Sequence, residues 1–517
     1  MSAPRTVPSL LTRAATTFDE RPWLISSEGT WTFADAHAAA ATVGRRLQDL
    51  AIGRGDLVAV TARNSPEDLL VILGVTVCGA TTVPLNPRST EAEFLGLLGQ
   101  LGAGGRLRAV ITDTEHRSVL ERAVSALPTA PPILDPADLT APPHTAGGPL
   151  AEVDEQDVAI MIPTSGTTGR SKLVMQTHRT HVMSGEGFPA WLGLGPDDRL
   201  MTAMPMFHTN ALAYSTMGSL VIGTGLVILP RFSASGFLDD ARLFGATSFN
   251  AVGAMLEMLM AQTPREDDAA TPLHTAYVAP ALPREEHVAF ERRFGLRIVC
   301  GYGLSESPYG LIWPPESKPF GTLGVLRQHP TLGVVNEARV VDDEGNDVAG
   351  GETGELLLRN PTVTPGYYGM PAESAAALSG GWLHTGDLVT AGTDGTYTFV
   401  ARKKEVIRRR GENLSPAEVA DAIRQHPDVE DCAVVGVPAG ASEEEIKAYV
   451  VPSRDAQPDP VALRDAVAKV LAPYKVPRYW QFIDALPLTP TGRVRLRDLP
   501  DPEDGEIDLA RPAQGVS

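Results

Sequence analysis

Apolar and polar positions along the first hundred residues alternate between helix-like and strand-like patterns. Phe33–Leu50 has the periodicity of an amphipathic helix, and the apolar run Leu57–Val60 is typical of a buried strand. Ser65-Pro66 has the composition of a helix cap and first turn, with Leu69 to Cys78 as the helix interior. The alternation continues with a strand, a helix and a strand: Thr81–Pro84, Glu91–Leu101 and Leu107–Thr112. The pattern predicts a doubly wound α/β fold with a parallel sheet and helices on both faces.

A Pro- and Gly-rich stretch, Pro128–Pro149, interrupts this pattern, and we expect it to be a surface connection. After Arg402 the pattern indicates a compact βαβ-like segment. We therefore expect a large N-terminal domain of mixed and parallel sheets with flanking helices over residues 1–401, a hinge at 402–405, and a small α+β C-terminal domain over 406–517. The strand-like segments between these points are Val158–Ile162, Leu226–Leu229, Ile298–Cys300, Ala338–Val341 and Glu355–Leu358. In the C-terminal domain the predicted helices are Pro416–Gln425 and Val461–Leu471, and the predicted strands are Cys432–Val437 and Ala448–Val451.

Composition limits the class of protein. With 517 residues, of which 43% are hydrophobic, the chain can bury large cores and is not expected to be disordered. A net charge of −19 opposes nucleic-acid binding, and three scattered cysteines have neither zinc-site nor disulfide spacing. The N-terminus lacks a signal-peptide pattern, and the longest apolar stretch, near Leu220 to Pro230, is too short to span a bilayer. We expect a cytoplasmic protein with no nucleic-acid partner and no membrane span, and a homodimer is left open.

A loop rich in glycine and hydroxyl side chains follows the predicted strand Val158–Ile162. Its glycines allow tight turns that present backbone N–H groups, while hydroxyls and one ammonium group converge on anionic oxygens. The spacing is not that of a Walker P-loop, and a plain polar turn is the alternative interpretation. The pattern favours a phosphate site. Its candidate ligands are Thr164, Ser165, Gly166, Thr167, Thr168, Gly169 and Lys172.

Three more polar motifs lie further along the chain. Gly301–Glu306 follows the predicted strand Ile298–Cys300 and ends in a carboxylate, a group that suits Mg²⁺. Trp382–Asp387 lies upstream of Tyr397 and Arg402, and Pro205–Asn210 contains His208. A turn, or for His208 a packed histidine, is the alternative interpretation of each motif taken alone, and the order of the motifs along the chain argues against it.

Together these motifs resemble those of the adenylate-forming superfamily of acyl-CoA synthetases, peptide-synthetase adenylation domains and luciferases. The resemblance extends from roughly Leu11 to Leu499, and the motifs look closest to carnitine-CoA-ligase-like and medium-chain acyl-CoA ligases. It implies that the loop Thr164–Lys172 holds the ATP β- and γ-phosphates and that Glu306 binds Mg²⁺. Further implied roles are Tyr302 against adenine, Ser305 at the α-phosphate, Asp387 on the ribose hydroxyls, Tyr397 and Arg402 in the nucleoside pocket, and His208 as a gate of the acyl pocket.

The resemblance also implies a reaction in two steps. In the first step ATP activates a small acid, expected to be a carboxylate, as its adenylate with release of pyrophosphate. In the second step a nucleophile takes the acyl group; CoA is the expected nucleophile and an amine is the alternative. The small domain is expected to be mobile, with Lys404 as the pivot between the half-reactions. Arg408–Pro416 resembles the loop that lines the pantetheine tunnel. Whether its arginines attract CoA phosphates or form a solvated face is left open.

One position departs from the family pattern in a way that affects chemistry. Arg493 stands where the family has a lysine that bridges the substrate carboxylate and the ATP α-phosphate. Both side chains are cations, but a planar guanidinium is not interchangeable with a compact ammonium group. Drift towards arginine and a site rebuilt for a different acid are both consistent with this change. Lys172, Ser305, His208 and Arg493 are thus the candidate catalytic residues.

Other functions remain open at this point. Some relatives are diazotases that use nitrite with an arylamine, and the altered cation could suit a small inorganic acid. A regulator that binds nucleotide without catalysis and a luciferase-type oxygenase are further alternatives. Side chains in Tyr277–Ala281, where relatives carry a glycine-rich pocket wall, favour a small acid over a bulky one.

Overall fold

The computed structural model describes residues 4–61, 63–142, 151–164, 171–403, 405–409, 412–440, 443–471, 475–489, 494–501 and 505–509. The helices are α1 Val7–Phe18, α2 Phe33–Asp49, α3 Pro66–Val77, α4 Glu91–Gly102, α5 Thr114–Ser125, α6 Pro136–Thr140, α7 His178–Leu192, α8 Met217–Ile222, α9 Phe237–Phe244, α10 Gly253–Met260, α11 Arg284–Phe294, α12 Pro371–Ala377, α13 Pro416–Arg424 and α14 Pro460–Val470. A π-helix spans Asn210–Thr216, and 3₁₀ turns span Ser379–Gly381 and Leu496–Asp498.

The strands alternate with these helices over most of the chain. They are β1 Pro22–Ser26, β2 Gly29–Thr32, β3 Leu57–Thr61, β4 Thr81–Leu85, β5 Leu107–Ile111, β6 Ile133–Leu134, β7 Val158–Thr164, β8 Lys172–Thr177, β9 Arg199–Thr202, β10 Gly225–Ile228, β11 Ser248–Ala251, β12 Thr275–Val278, β13 Arg297–Leu304, β14 Ser307–Ile312, β15 Val325–Leu326, β16 Glu337–Val341, β17 Thr353–Arg359, β18 Leu383–Ala391, β19 Tyr397–Arg402, β20 Ile407–Arg409, β21 Glu412–Leu414, β22 Val429–Gly440, β23 Glu443–Pro452, β24 Tyr479–Phe482 and β25 Ile507–Asp508. This confirms the predicted α/β class.

Local capping explains why the early helices begin where the sequence predicts. Thr32 and Thr90 form capping boxes with Asp35 and Glu93, in which each threonine hydroxyl accepts from the third helical N–H and the acid side chain accepts from the cap N–H. Ser65 caps α3 by accepting from Asp68 N, with proline at the first helical position. These caps satisfy backbone donors that would otherwise lack a partner at a helix start.

Two large sheets form the N-terminal part of the chain. A six-stranded sheet has the order β6-β5-β3-β4-β7-β8, and only its β7–β8 pair is antiparallel among the described pairs. A nine-stranded sheet has the order β15-β14-β13-β12-β11-β9-β10-β1-β2, with the inner strands parallel and antiparallel pairs towards both edges. Alternate residues of β3 enter different apolar clusters, with Val58 and Val60 in one and Leu57 and Ala59 in the other. Both faces of the six-stranded sheet are therefore covered, as in doubly wound folds.

The smaller sheets include one correction to the sequence prediction. The four-stranded sheets have the orders β16-β17-β18-β19 and β22-β23-β24-β25, and β20 and β21 form a hairpin. β22 and β23 pair antiparallel, so the two strands predicted in the C-terminal domain form a hairpin and not a βαβ unit. The parallel pair in this region is β23–β24, which α14 connects, and β24 was not predicted. The Pro128–Pro149 connection also differs from the prediction, because it contains β6 and α6.

The chain divides into two compact units. The first comprises Met1–Arg339, Leu357–Thr385 and Asp394–Tyr397, and the second comprises Val340–Leu356, Gly386–Thr393 and Thr398–Ser517. The second unit has an apolar core of its own around Ile423 and Trp480, both fully buried. Among the helices that the structure describes, none combines the length and the apolar composition that crossing a membrane requires.

Candidate active site

The predicted phosphate loop connects two antiparallel strands. Thr164 ends β7 and Lys172 begins β8, and the two residues are paired in register. The Thr164 hydroxyl donates to the Lys172 carbonyl at 3.3 Å, which closes the base of the loop. Ser165, Gly166, Thr167, Thr168 and Gly169 lie outside the described residues, and their assignment to phosphate stays a prediction.

A second motif forms a tight hairpin at the end of β13. Leu304 pairs with Ser307, so Ser305 and Glu306 form the two-residue turn between β13 and β14. Both turn residues are half-buried, as is Tyr302 two strand positions before Leu304. This turn holds the Glu306 carboxylate at the carboxyl end of a parallel strand, where ligands bind in open α/β sheets.

Tyr367 connects Glu306 to the loop lysine. Its hydroxyl donates to Glu306 Oε1 at 2.9 Å, and Lys172 Nζ lies 4.2 Å from the centroid of its ring. The backbone N–H of Thr364 donates to the Glu306 carbonyl at 2.8 Å. Tyr367 thus contacts both the ammonium group of Lys172 and the carboxylate of Glu306. The ammonium group suits phosphate, and the carboxylate suits a hard cation.

Gln176 is a buried residue that the sequence did not single out. Its amide nitrogen donates to the Ser305 carbonyl at 2.7 Å and to Thr209 Oγ1 at 2.9 Å. The side chain is fully buried, so these bonds form away from bulk water. Gln176 therefore fixes the Ser305–Glu306 turn against the segment that follows His208. Its partner lies 129 positions away in sequence, and no local pattern marks such a pair.

His208 lies in a loop that the side chain of Asn64 fixes by hydrogen bonds. The side chain of Asn64 donates to the Met204 carbonyl at 2.9 Å and accepts from Met206 N at 3.0 Å, which fixes the chain just before the histidine. The His208 ring packs on Phe207 with ring centroids 4.5 Å apart. A π-helix, Asn210–Thr216, follows directly, and π-helical turns are frequent at functional sites.

The predicted ribose acceptor lies in the second compact unit. Asp387, on β18, is almost fully buried and pairs with Arg402 at the end of β19, with Nε 2.6 Å from Oδ1. The preceding residue, Gly386, donates its N–H to Glu355 at 3.1 Å, and its carbonyl accepts from Lys403 N at 2.8 Å. Glu355 in turn pairs with the Lys403 ammonium group at 3.1 Å. The structure therefore brings Asp387 and Arg402 together, as the sequence predicts.

The structure describes only some of the remaining predicted residues. Tyr397 begins β19, is half-buried, and exchanges backbone hydrogen bonds with Leu323 and Gly324. Burial raises the pKa of its hydroxyl. Lys404 and Arg493 lie outside the described residues, so their roles stay predictions. Arg409 is buried and pairs with Glu445 at 2.7 Å. It therefore fits neither of the two interpretations left open for the arginine run, a CoA-phosphate site or a solvated face.

Comparison with known proteins places these motifs in a family. Residues 11–368 match the AMP-binding enzyme family, and residues 418–493 match the AMP-binding enzyme C-terminal domain. The chain belongs to the AMP-binding enzyme family. The first match includes the phosphate loop, Glu306 and Tyr367, and the second ends at Arg493.

Relatives of this AMP-binding enzyme are CoA ligases. It is 33% identical over 505 residues to the sulfoacetate–CoA ligase of Cupriavidus necator, covering 95% of this chain and 96% of that protein. It is 30% identical over 468 residues to the crotonobetaine/carnitine–CoA ligase of Salmonella choleraesuis, covering 87% and 89% of the two chains.

Solved structures agree with this assignment. The anthranilate CoA ligase AuaEII in complex with anthranoyl-AMP has a TM-score of 0.83 at 25% identity and covers 95% of both chains. ATP-bound MatB from Rhodopseudomonas palustris has a TM-score of 0.85 at 25% identity, covering 95% and 98%. The protein is thus an AMP-forming ligase of the adenylate-forming CoA ligases, which use ATP, Mg²⁺ and CoA. The predicted family, activity and cofactors are confirmed.

Proposed function

We propose that this protein activates a short carboxylic acid as its acyl-adenylate and transfers the acyl group to CoA. The observation that carries the proposal is the linked set Lys172–Tyr367–Glu306, joined through the Ser305 turn to Gln176 and the His208 loop. It provides a cation for phosphate, a carboxylate for a metal and a hydroxyl for the α-phosphate.

The residues of the first unit would act on the triphosphate. The Lys172 ammonium group would neutralise phosphate oxygens while Tyr367 keeps the Glu306 carboxylate oriented. The donor chemistry of Glu306 fits Mg²⁺, which prefers one or two carboxylates together with substrate phosphates. When bound, the ion would offset negative charge that develops on the phosphates as pyrophosphate leaves.

The residues of the second unit would hold the ribose and govern the change of step. Asp387 would accept from the ribose hydroxyls, with Arg402 keeping the carboxylate oriented. Lys404 would be the pivot for rotation of the small domain, and Arg493 would be the cation that meets the substrate carboxylate. In the second half-reaction the CoA thiol displaces AMP from the adenylate.

The packing at the sheet edge beside Tyr302 supports the proposal of a short acid. Tyr277, near the end of β12, is almost fully buried, and its ring occupies space against Gly301. A bulky side chain here narrows an acyl pocket, so we assign a short acid. The two named relatives act on sulfoacetate and on crotonobetaine or carnitine, which are also short acids.

The test is a panel of short acids incubated with ATP, Mg²⁺ and the purified protein, with and without CoA. We expect AMP and pyrophosphate in equal amounts, and an acyl-CoA when CoA is present. ADP with free phosphate would contradict adenylation. AMP formation only with nitrite and an aminobenzoate would replace the CoA ligase proposal by a diazotase.

A further inference from the structure

A buried arginine lies beneath the carboxyl edge of the nine-stranded sheet. Arg327, just after β15, has no exposed surface. Its guanidinium donates to the carbonyls of Leu311 at 3.0 Å and Pro308 at 2.8 Å, to Tyr214 Oη at 2.5 Å, and to Tyr277 Oη. All four acceptors are neutral, and the Tyr214 hydroxyl itself donates to the Pro308 carbonyl at 2.6 Å.

No described carboxylate forms an ion pair with Arg327. Glu186, on the same helix as Trp191, is already paired with Arg5 at 2.7 Å and with His329 at 2.9 Å. Burial of a cation without an anion is costly, and hydrogen bonds to neutral groups leave its net charge in place. The region therefore has an uncompensated positive charge in a low-dielectric setting, where charge acts over longer distances than in water.

The charge lies directly behind the strand that carries the candidate site. A Cβ placed on Gly301 would collide with the Arg327 guanidinium and lie 2.6 Å from Tyr277 Oη. A Cβ on Gly303 would lie 3.1 Å from Tyr214 Oη. These two glycines flank Tyr302, so the arginine and its two tyrosines form the layer immediately beneath the nucleotide-site strand.

Aromatic rings complete the surroundings of the guanidinium. Its carbon lies 4.8 Å from the ring centroid of Trp191, 5.2 Å from Tyr214 and 5.4 Å from Tyr277. Aromatic cages of this kind bind quaternary ammonium groups. Here the chain's own guanidinium fills the ring faces, and a second cation would be repelled.

We propose that Arg327, acting through the hydroxyl of Tyr277, selects a short acid with a second anionic group, a carboxylate or a sulfonate. The proposal rests on the proposed function, because it names the acid that the same site activates. The reacting carboxylate would face Ser305 and the nucleotide, and the second anion would be placed towards the Tyr277 hydroxyl. An acid with a trimethylammonium group would be rejected.

The experiment compares acids of equal shape and different charge. The pairs are succinate with succinamate, and sulfoacetate with methylsulfonylacetate, and 4-trimethylammoniobutyrate is added as the cationic acid. We expect kcat/KM for AMP formation to favour the better dianion over its monoanionic partner by about 100-fold or more, with no turnover of the acid that carries the trimethylammonium group. The carboxylate and sulfonate pairs show which anion is used.

Variants test whether Arg327 sets this ratio. Arg327→Gln is expected to lower the ratio of kcat/KM for the dianion to kcat/KM for the monoanion at least tenfold, and Tyr277→Phe by about three- to tenfold. Arg293→Gln is the control, since Arg293 is half-buried but pairs with Asp268 at 2.7 Å, and its ratio should equal that of wild type. The ratio does not depend on how much enzyme is folded. If Arg327→Gln does not fold, Tyr277→Phe decides.

Three outcomes would overturn the proposal. They are equal use of monoanionic and dianionic acids by wild type, turnover of the trimethylammonium acid, and an unchanged ratio in the variants. If no acid gives AMP, the proposed function fails. Selection is then measured by the rise in melting temperature with each acid plus a non-hydrolysable ATP analogue, and equal rises for both members of a pair would refute it.

Discussion

At the scale of single residues, buried polar side chains fix the geometry of the candidate active site. Gln176 makes two hydrogen bonds that hold the Ser305 carbonyl and the Thr209 hydroxyl. Gln176→Leu removes both N–H donors and leaves the Ser305 carbonyl without this partner. We expect each lost hydrogen bond to cost about 1 kcal/mol of stabilisation of the turn. We expect kcat/KM for acid-dependent pyrophosphate exchange to fall roughly tenfold or more.

The control for this variant is another buried glutamine. Gln481, in the second unit, is almost fully buried and donates to the Asp501 carbonyl at 3.2 Å. Gln481→Leu should lower stability and leave the exchange rate per folded molecule unchanged. Equal exchange rates in Gln176→Leu and wild type would show that the Ser305 turn does not need this support.

The second prediction at this scale concerns Asp387. Asp387→Asn keeps the shape of the side chain but loses the charge that pairs with Arg402. A charge-assisted acceptor of two ribose hydroxyls is worth roughly 1.5–3 kcal/mol, so an ATP analogue should bind about 10- to 100-fold more weakly by isothermal titration. The exposed Asp394, in the turn after β18, gives the matched control Asp394→Asn, which should bind as wild type does.

Asp68 provides a prediction about pH. Burial raises the pKa of its carboxyl to about 7, although its Oδ2 accepts from Arg63 N at 3.0 Å. The folded protein therefore holds a proton there that the unfolded chain has lost between about pH 4 and 7, so folding stability falls as pH rises through this interval. Asp68→Asn removes this loss. We expect the variant to gain roughly 2–3 kcal/mol relative to wild type between pH 5 and pH 8, measured by urea unfolding. A constant difference across this range would contradict a buried, protonated Asp68.

These residues show which parts of the site the sequence could predict. Glu306 and Asp387 stand out because each belongs to a short local motif in a fixed order. Gln176, Tyr367 and Arg327 do not, because their partners lie 129, 61 and up to 113 positions away and each residue type is common in ordinary packing. A single sequence carries local periodicity and motifs, but it does not show which distant side chains meet.

At the scale of elements, local signals were sufficient for the starts of α2, α3 and α4 and insufficient for strand pairing. Helices α2, α3 and α4 begin at the predicted positions because capping side chains lie in the same few residues. The β22–β23 hairpin and the parallel β23–β24 pair depend instead on register between segments. Alternating apolar residues identify a strand, and they do not identify its neighbour.

Packing between α2 and α3 gives a prediction at this scale. A Cβ on Gly74 would collide with the side chain of Val43 and lie 2.9 Å from the Ala40 carbonyl, so the two helices approach closely only because Gly74 has no side chain. Gly74→Ala should destabilise the protein by roughly 1–3 kcal/mol through overpacking. Gly96→Ala on α4 is the control, since nothing lies within 4 Å of its added Cβ. It should be stabilising by up to about 1 kcal/mol from helix propensity. Similar changes in melting temperature for both variants would contradict the close contact.

At the scale of the whole molecule, the apolar residues form separate cores. One cluster of fully buried side chains includes Trp23, Phe33 and Phe249 and belongs to the first unit. Another includes Ile423 and Trp480 and belongs to the second. These clusters have no residue in common, and each is large enough to support cooperative unfolding of its own part of the chain.

The last prediction is that heating produces two calorimetric transitions and that a substitution in one core lowers only the transition of that core. Trp480→Ala removes a fully buried indole from the C-terminal core, which should cost about 3–5 kcal/mol and lower the transition of smaller enthalpy. Trp23→Ala is the matched substitution in the other core, where the indole N–H donates to Ser219 Oγ at 2.9 Å, and it should lower the transition of larger enthalpy. A single transition that shifts equally in both variants would instead mean that the two cores unfold as one cooperative unit.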